Sequence, residues 1–255
     1  MEGLYAIFIG FIGTAVEFVE AMTVILAVGM VRGWKHAIGG AVTASIVLGL
    51  LVCLIGAPLA QIIQISWVQI IVGLCSLLFG IRWLRKAILR YSGLKAIHDE
   101  EKAFKEELNR MQNAGVVKQG FDRFAFMTTF GITMLEGLEA IFIVITFGLS
   151  LHAMTFTVLG AILATVVVIA AGFIVRKPLS KVPENTMKYI VGVMLTSFGA
   201  FWTGEGFGVI WPQEDASILY IALTLFVFSY VMVKRIKNQL QGRELKKSNS
   251  RGFEV

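Results

Sequence analysis

The stretch Thr14-Ala15-Val16-Glu17-Phe18-Val19-Glu20-Ala21 returns in altered form as Thr133-Met134-Leu135-Glu136-Gly137-Leu138-Glu139-Ala140. Each copy sits inside an apolar run long enough to cross a bilayer as a helix. Ionisable side chains at membrane depth are costly, so four glutamates in such runs need a partner or a purpose. The ungapped shift that carries Glu17 onto Glu136 also carries Gly29 onto Gly148, Ile71-Val72-Gly73 onto Ile190-Val191-Gly192, Phe79-Gly80 onto Phe198-Gly199, and Trp83 onto Trp202. One register holding through a whole half of the chain reads as an internal duplication centred on the acidic pairs.

Outward from these pairs, the chain is 56% apolar with a mean hydropathy of +0.77, far above a soluble domain. The apolar segments are continuous rather than alternating, which favours helices over a β-barrel. Hydropathy predicts seven spans, over 3–29, 37–58, 66–84, 125–150, 154–175, 187–205 and 217–233. The four prolines fall at or between the ends of these spans, where a helix stops without losing an internal hydrogen bond. Met1-Glu2-Gly3 lacks a basic n-region and the first apolar run is too long for a cleaved leader.

The fold class expected is therefore an all-α polytopic membrane protein with seven transmembrane helices. Spans 1–3 and 4–6 form two three-helix repeats, and the seventh helix stands outside them. Three spans per repeat turn the second copy over, so the repeats are expected to be inverted. The corresponding division is 1–84 (first repeat), 85–122 (connector), 123–205 (second repeat) and 206–255 (seventh helix and basic tail).

The 23 Lys and Arg residues fall into four groups: Arg32 and Lys35, then Arg82 to Arg123, Arg176 to Lys188, and Lys234 to Arg251. With seven spans, all four groups lie on one side of the membrane, which the positive-inside rule makes cytoplasmic. The expected protein is thus a multi-pass plasma-membrane protein with its N-terminus outside and its C-terminus inside. The net charge of +6 reflects orientation and attraction to anionic inner-leaflet lipid, not nucleic-acid binding. The bilayer is the implied partner.

In the connector, Asp99–Gln112 is charged and helix-prone, with Ala103, Leu108 and Met111 as sparse apolar positions. It reads as a helix lying on the inner surface. The tail from Lys234 reads as a fraying topology anchor. Cys53 and Cys75 are isolated within spans and lack redox spacing. Gly73 and Gly80, their mates Gly192 and Gly199, and Gly10, Gly13, Gly131 and Gly137 read as close-packing positions.

The i, i+3 spacing places Glu17 and Glu20 on one helix stripe with Thr14, and Glu136 and Glu139 on another with Thr133. Facing each other, the stripes would form an oxygen cage suited to a hard cation, or to iron or manganese. Two carboxylates about 5 Å apart repel by roughly 3 kcal/mol at an effective dielectric of about 20. Six such pairs approach roughly 20 kcal/mol, beyond the net stability of a typical domain. The cage should therefore hold protons when empty and a cation when filled. The candidate metal ligands are Glu17, Glu20, Glu136 and Glu139, with Thr14, Thr133 and Glu205 as supporting groups.

Glu205, Glu214 and Asp215 make the outer loop after span 6 acidic, either to attract cations or as ordinary interfacial acids beside Trp202 and Trp211. Met22 and Met134 flank the glutamates and read as packing residues, with thioether ligation as the alternative. His36, His98 and His152 are scattered without ligand spacing. Neither a nucleophile–base pair nor a nucleotide-binding loop is visible, so an enzyme is not expected.

Leu135-Glu136-Gly137-Leu138-Glu139 resembles the Arg-Glu-Gly-Leu-Glu signature of the high-affinity iron permeases, the oxidase-dependent iron transporters. Val16-Glu17-Phe18-Val19-Glu20 is similar to the same family's first-span motif. The resemblance implies seven spans, an outside N-terminus, and iron bound by the four glutamates during permeation. It also implies a ferroxidase or periplasmic partner, and no tightly bound cofactor beyond the transported metal. Val16 and Leu135 stand where the family carries arginine, which makes the site more negative and leaves open a divalent ion such as Fe(II) or Mn(II). The alternatives are a proton-coupled exporter or exchanger of another divalent cation, and a non-transporting membrane scaffold.

Overall fold

In a computed structural model the chain is all-α. It describes residues 2–62, 65–96, 99–114, 120–175 and 184–251. His98, Pro178, Pro183 and the basic segment 176–181 lie outside the described residues, as does the side chain of Asp215. Eight α-helices are described: α1 (Glu2–Arg32), α2 (Trp34–Ile62), α3 (Ser66–Tyr91), α4 (Glu100–Asn113), α5 (Arg123–Ser150), α6 (Met154–Val175), α7 (Glu184–Gly206) and α8 (Ser217–Arg251). The chain forms two compact units.

Six of these helices are long and apolar enough to cross a membrane: α1, α2, α3, α5, α6 and α8. The sixth expected span, 187–205, corresponds to α7, which does not join that set. Lys188 and Glu205 lie within it, together with Thr196, Ser197 and Thr203, and these polar groups dilute its apolar content. The basic tail does not fray at Lys234, because α8 continues as helix to Arg251.

The first unit comprises Met1–Ile65 and Asp99–Met187. Within it α1 packs on α6 and α5, and α2 packs on α5. Glycines set these close approaches. A Cβ at Gly160 of α6 would overlap the Ile7 carbonyl oxygen of α1, and one at Gly40 of α2 would overlap the Phe126 carbonyl oxygen of α5. Gly33 joins α1 to α2 in a single residue with φ +103°, a left-handed conformation that ends a helix cheaply only at glycine. Asp99 caps α4 by accepting from the amides of Glu101 and Lys102. Asp122 caps α5 by accepting from the amide of Ala125, so each helix start has a specific acceptor.

The second unit comprises Ser66–His98 and Lys188–Val255. In it α3 and α7 meet through four glycines. A Cβ would strike Thr203 from Gly73, Thr196 from Gly80, Leu84 and Trp83 from Gly192, and Leu77 from Gly199. Trp83 and Trp202 are both buried, and the Lys188 ammonium lies 5.2 Å from the Trp83 ring centroid.

These contacts repeat under the sequence shift. Gly73 meets Trp202 and Thr203, and its mate Gly192 meets Trp83 and Leu84, the mates of those two residues. Gly80 likewise meets Thr196, and its mate Gly199 meets Leu77, the mate of Thr196. In the first unit the correspondence is offset by one: Gly160 faces Ile7 and Phe11, while Gly40, the residue before the mate of Gly160, faces Phe126 and Phe130.

The connector is bound more closely than a surface helix. α4 packs along α1, where Phe104 is buried with Val19, Met22, Leu26 and Ala27 of α1 and Val168 of α6. Met111 is buried with Val28, Ala37 and Ala125. The apolar positions Leu108 and Met111 take part as the pattern suggests, with Met111 fully buried, and Phe104 joins them as a second buried anchor.

Candidate metal centre

Both acidic stripes belong to the first unit, on α1 and α5, which pack side by side. Gly13 allows the approach, since a Cβ there would come within 2.7 Å of Ile143 Cγ2 on α5. Glu17 is fully buried and Glu136 is 4% exposed, while Glu20 and Glu139 are half-buried. One carboxylate oxygen each from Glu17, Glu20 and Glu136 lie within 4.8 Å of one another. Three oxygens at that spacing can converge on one cation. Glu139 is outside this group.

Around the cluster, Thr14 is fully buried and its hydroxyl donates to the Gly10 carbonyl at 2.8 Å. That leaves its lone pairs for a ligand. The Thr133 hydroxyl oxygen is buried and makes no hydrogen bond among the described residues. It borders an apolar cavity of about 330 Å³ between α1, α2, α5 and α6, lined by Phe18, Met22 and Leu48 among others. Val16 is fully buried, whereas Leu135 is 52% exposed.

The remaining sequence candidates are placed elsewhere. Met22 packs with Leu26 and Phe104, as a core residue. Glu205 is exposed and belongs to the second unit, as does Glu214, which is also exposed. His152 is exposed at the α5–α6 turn with φ 49°. The His36 ring stands edge-on to Phe121 at 5.4 Å between centroids.

Sequence reasoning passed over an ion pair at the Arg32 end of α1. Arg32 Nε donates to Asp122 Oδ2 at 2.7 Å, and its Nη1 donates to the Met111 carbonyl at 3.1 Å. The guanidinium also lies 5.0 Å from the Phe124 ring centroid. The Arg32 hydrogen bond holds the Asp122 carboxyl below its ordinary value; burial opposes this, and the Ala125 amide, the Arg32 charge and the neighbouring His36 assist it. The signal was available: an Asp three residues before Ala125, at the head of an apolar run, is an N-cap pattern.

A bundle of long apolar helices enclosing carboxylates is the architecture of a membrane carrier for cations. Residues 83–237 match the family described as ferrous iron uptake permease, iron-lead transporter, and the chain belongs to that family. It is a family of permeases, not enzymes. The matched stretch holds Glu136 and Glu139; Glu17 and Glu20 lie before it. No curated protein and no solved structure matches the chain.

Proposed function

We propose that the protein carries ferrous iron across the plasma membrane through a site built from Glu17, Glu20 and Glu136, with Glu139 as the neighbouring ligand on the same stripe. The observation that carries this reading is the convergence of the three carboxylates from α1 and α5, together with the family's description. Thr14 and Thr133 supply hydroxyl oxygens beside the ion. Glu205 acts as an accessory group that draws cations to the Gly206 end of α7.

The family's description points to a divalent guest, and the site can accommodate one. Val16 and Leu135 bring no cation to the stripes, so a divalent ion balances two of three carboxylates and the third retains a proton. A ferroxidase partner is then unnecessary, because no oxidation to the trivalent state is required. Manganese is the nearest competitor by ligand chemistry.

In this reading α7 completes a set of seven crossings, with the N-terminus outside and the basic segments in the cytoplasm. The mated glycine contacts support two inverted three-helix repeats, since a contact and its image are what a pseudo-two-fold axis produces. The test is uptake of ferrous iron into proteoliposomes with a proton gradient imposed in each direction. Uptake that survives Glu17→Gln with Glu136→Gln would remove the carboxylate site from the mechanism and favour a scaffold in which glutamates serve as polar glue.

A further inference from the structure

The stripe of α1 that bears Glu17 and Glu20 continues toward Arg32 through the adjacent Ala27 and Val28, both about two helical turns beyond Glu20. Both residues are fully buried, and α4 takes part in covering them. Phe104 and the partly buried Leu108 pack with the Ala27 cluster, and Met111 packs on Val28. An ion leaving the carboxylates along this stripe toward the Arg32 end of α1 therefore meets the connector helix.

The two ends of α4 are held differently. Near its C-terminus, the Met111 carbonyl accepts from Arg32, which is itself paired to Asp122. A guanidinium suits the negative pole of a helix as well as a single carbonyl. Around Phe104, apolar packing on α1 and Val168 is what the structure shows, and the outer face is a set of exposed pairs, Lys105 with Glu101 and Lys102 with Glu106. Exposed pairs of this kind hold little. The Phe104 end thus rests on apolar packing, whereas the Met111 end is also tied to the buried Arg32–Asp122 pair.

We infer that α4 is a cytoplasmic door, hinged where Arg32 grips Met111 and shut by the side chain of Phe104. It rests on the transport reading above. Closed, it seals the Arg32 end of the glutamate stripe; swung about Met111, it exposes Ala27 and releases the ion.

The test uses the full chain in inverted membrane vesicles, with Cys53 and Cys75 replaced by serine and Ala27→Cys added. A charged, membrane-impermeant maleimide reports access to position 27 from the cytoplasmic side and requires no metal. The door predicts slow labelling, accelerated about tenfold or more by Phe104→Ala, because truncating a buried phenylalanine removes most of its packing. Phe104→Leu should restore slow labelling, and Leu108→Ser should give a smaller acceleration. Ferrous iron flux should rise in step with labelling. Labelling unchanged by both Phe104→Ala and Leu108→Ser overturns the door, and so does fast labelling of the parent. A parent that moves no ferrous iron defeats the transport reading instead, while the labelling rates still judge the door.

Discussion

Arg32 and Asp122, ninety positions apart in the chain, meet at 2.7 Å with side chains only 2% and 7% exposed. The pair binds the last residue of α1 to the cap of α5, and through the Met111 carbonyl it binds α4 as well. One guanidinium thus joins three helices of the first unit.

Its loss should be visible in pH dependence. The folded Asp122 carboxyl titrates below its ordinary value of 3.8, chiefly because of Arg32. Its stabilisation is therefore fully present above that ordinary value and disappears as pH falls through the lower folded value. Asp122→Asn should cost about 2 kcal/mol at neutral pH, and its deficit relative to the parent should shrink in strong acid. Thermal unfolding in detergent across that range measures both.

The carboxylate cluster predicts a change of sign. Without metal, Glu17→Gln relieves repulsion among neighbouring acids and should raise the melting temperature or leave it unchanged. With ferrous iron present, the parent should gain stability by mass action and the variant should gain much less. A variant stabilised by iron as strongly as the parent would show that Glu17 is not a ligand.

Glycine substitutions separate contact from propensity. Gly160→Ala places a methyl group against the Ile7 carbonyl of α1, where backbone cannot yield. It should destabilise by about 1–3 kcal/mol. Gly131→Ala meets open space in α5 and should stabilise by up to about 1 kcal/mol through helix propensity. Melting temperatures of the two variants should move in opposite directions.

The α1–α2 joint gives a backbone prediction. Gly33 has φ +103° with nothing near its missing side chain, so Gly33→Ala suffers from conformation alone. A loss of about 1 kcal/mol is expected, with Gly33→Asn milder because asparagine tolerates the left-handed region.

Much of this architecture was legible in the residues. Long uncharged runs gave the helices, and an unbroken register gave the paired glutamates, because helical hydropathy and a duplication both leave periodic traces. Two features left none. The spacing of Glu136 and Glu139 puts both on one stripe, but which of them turns toward α1 depends on helix rotation, set by contacts such as Gly13 on Ile143. Phe104 is one aromatic in a charged segment, and its burial is decided by α1 and α6 rather than by its neighbours in sequence. Residues 187–205 read as a span in the sequence, yet α7 does not join the helices long and apolar enough to cross a membrane, because its hydroxyls and charges weaken its hydropathy.

The length of α1 reaches beyond its own packing. Its apolar stretch of 30 residues extends about 45 Å at the helical rise, against a hydrocarbon layer of about 30 Å. The surplus has to be absorbed by leaning, by protruding into the headgroups, or by thickening the surrounding lipid. Acyl-chain length thereby becomes a control on how deep Glu17 sits, and the same polypeptide should work at different rates in thin and thick bilayers.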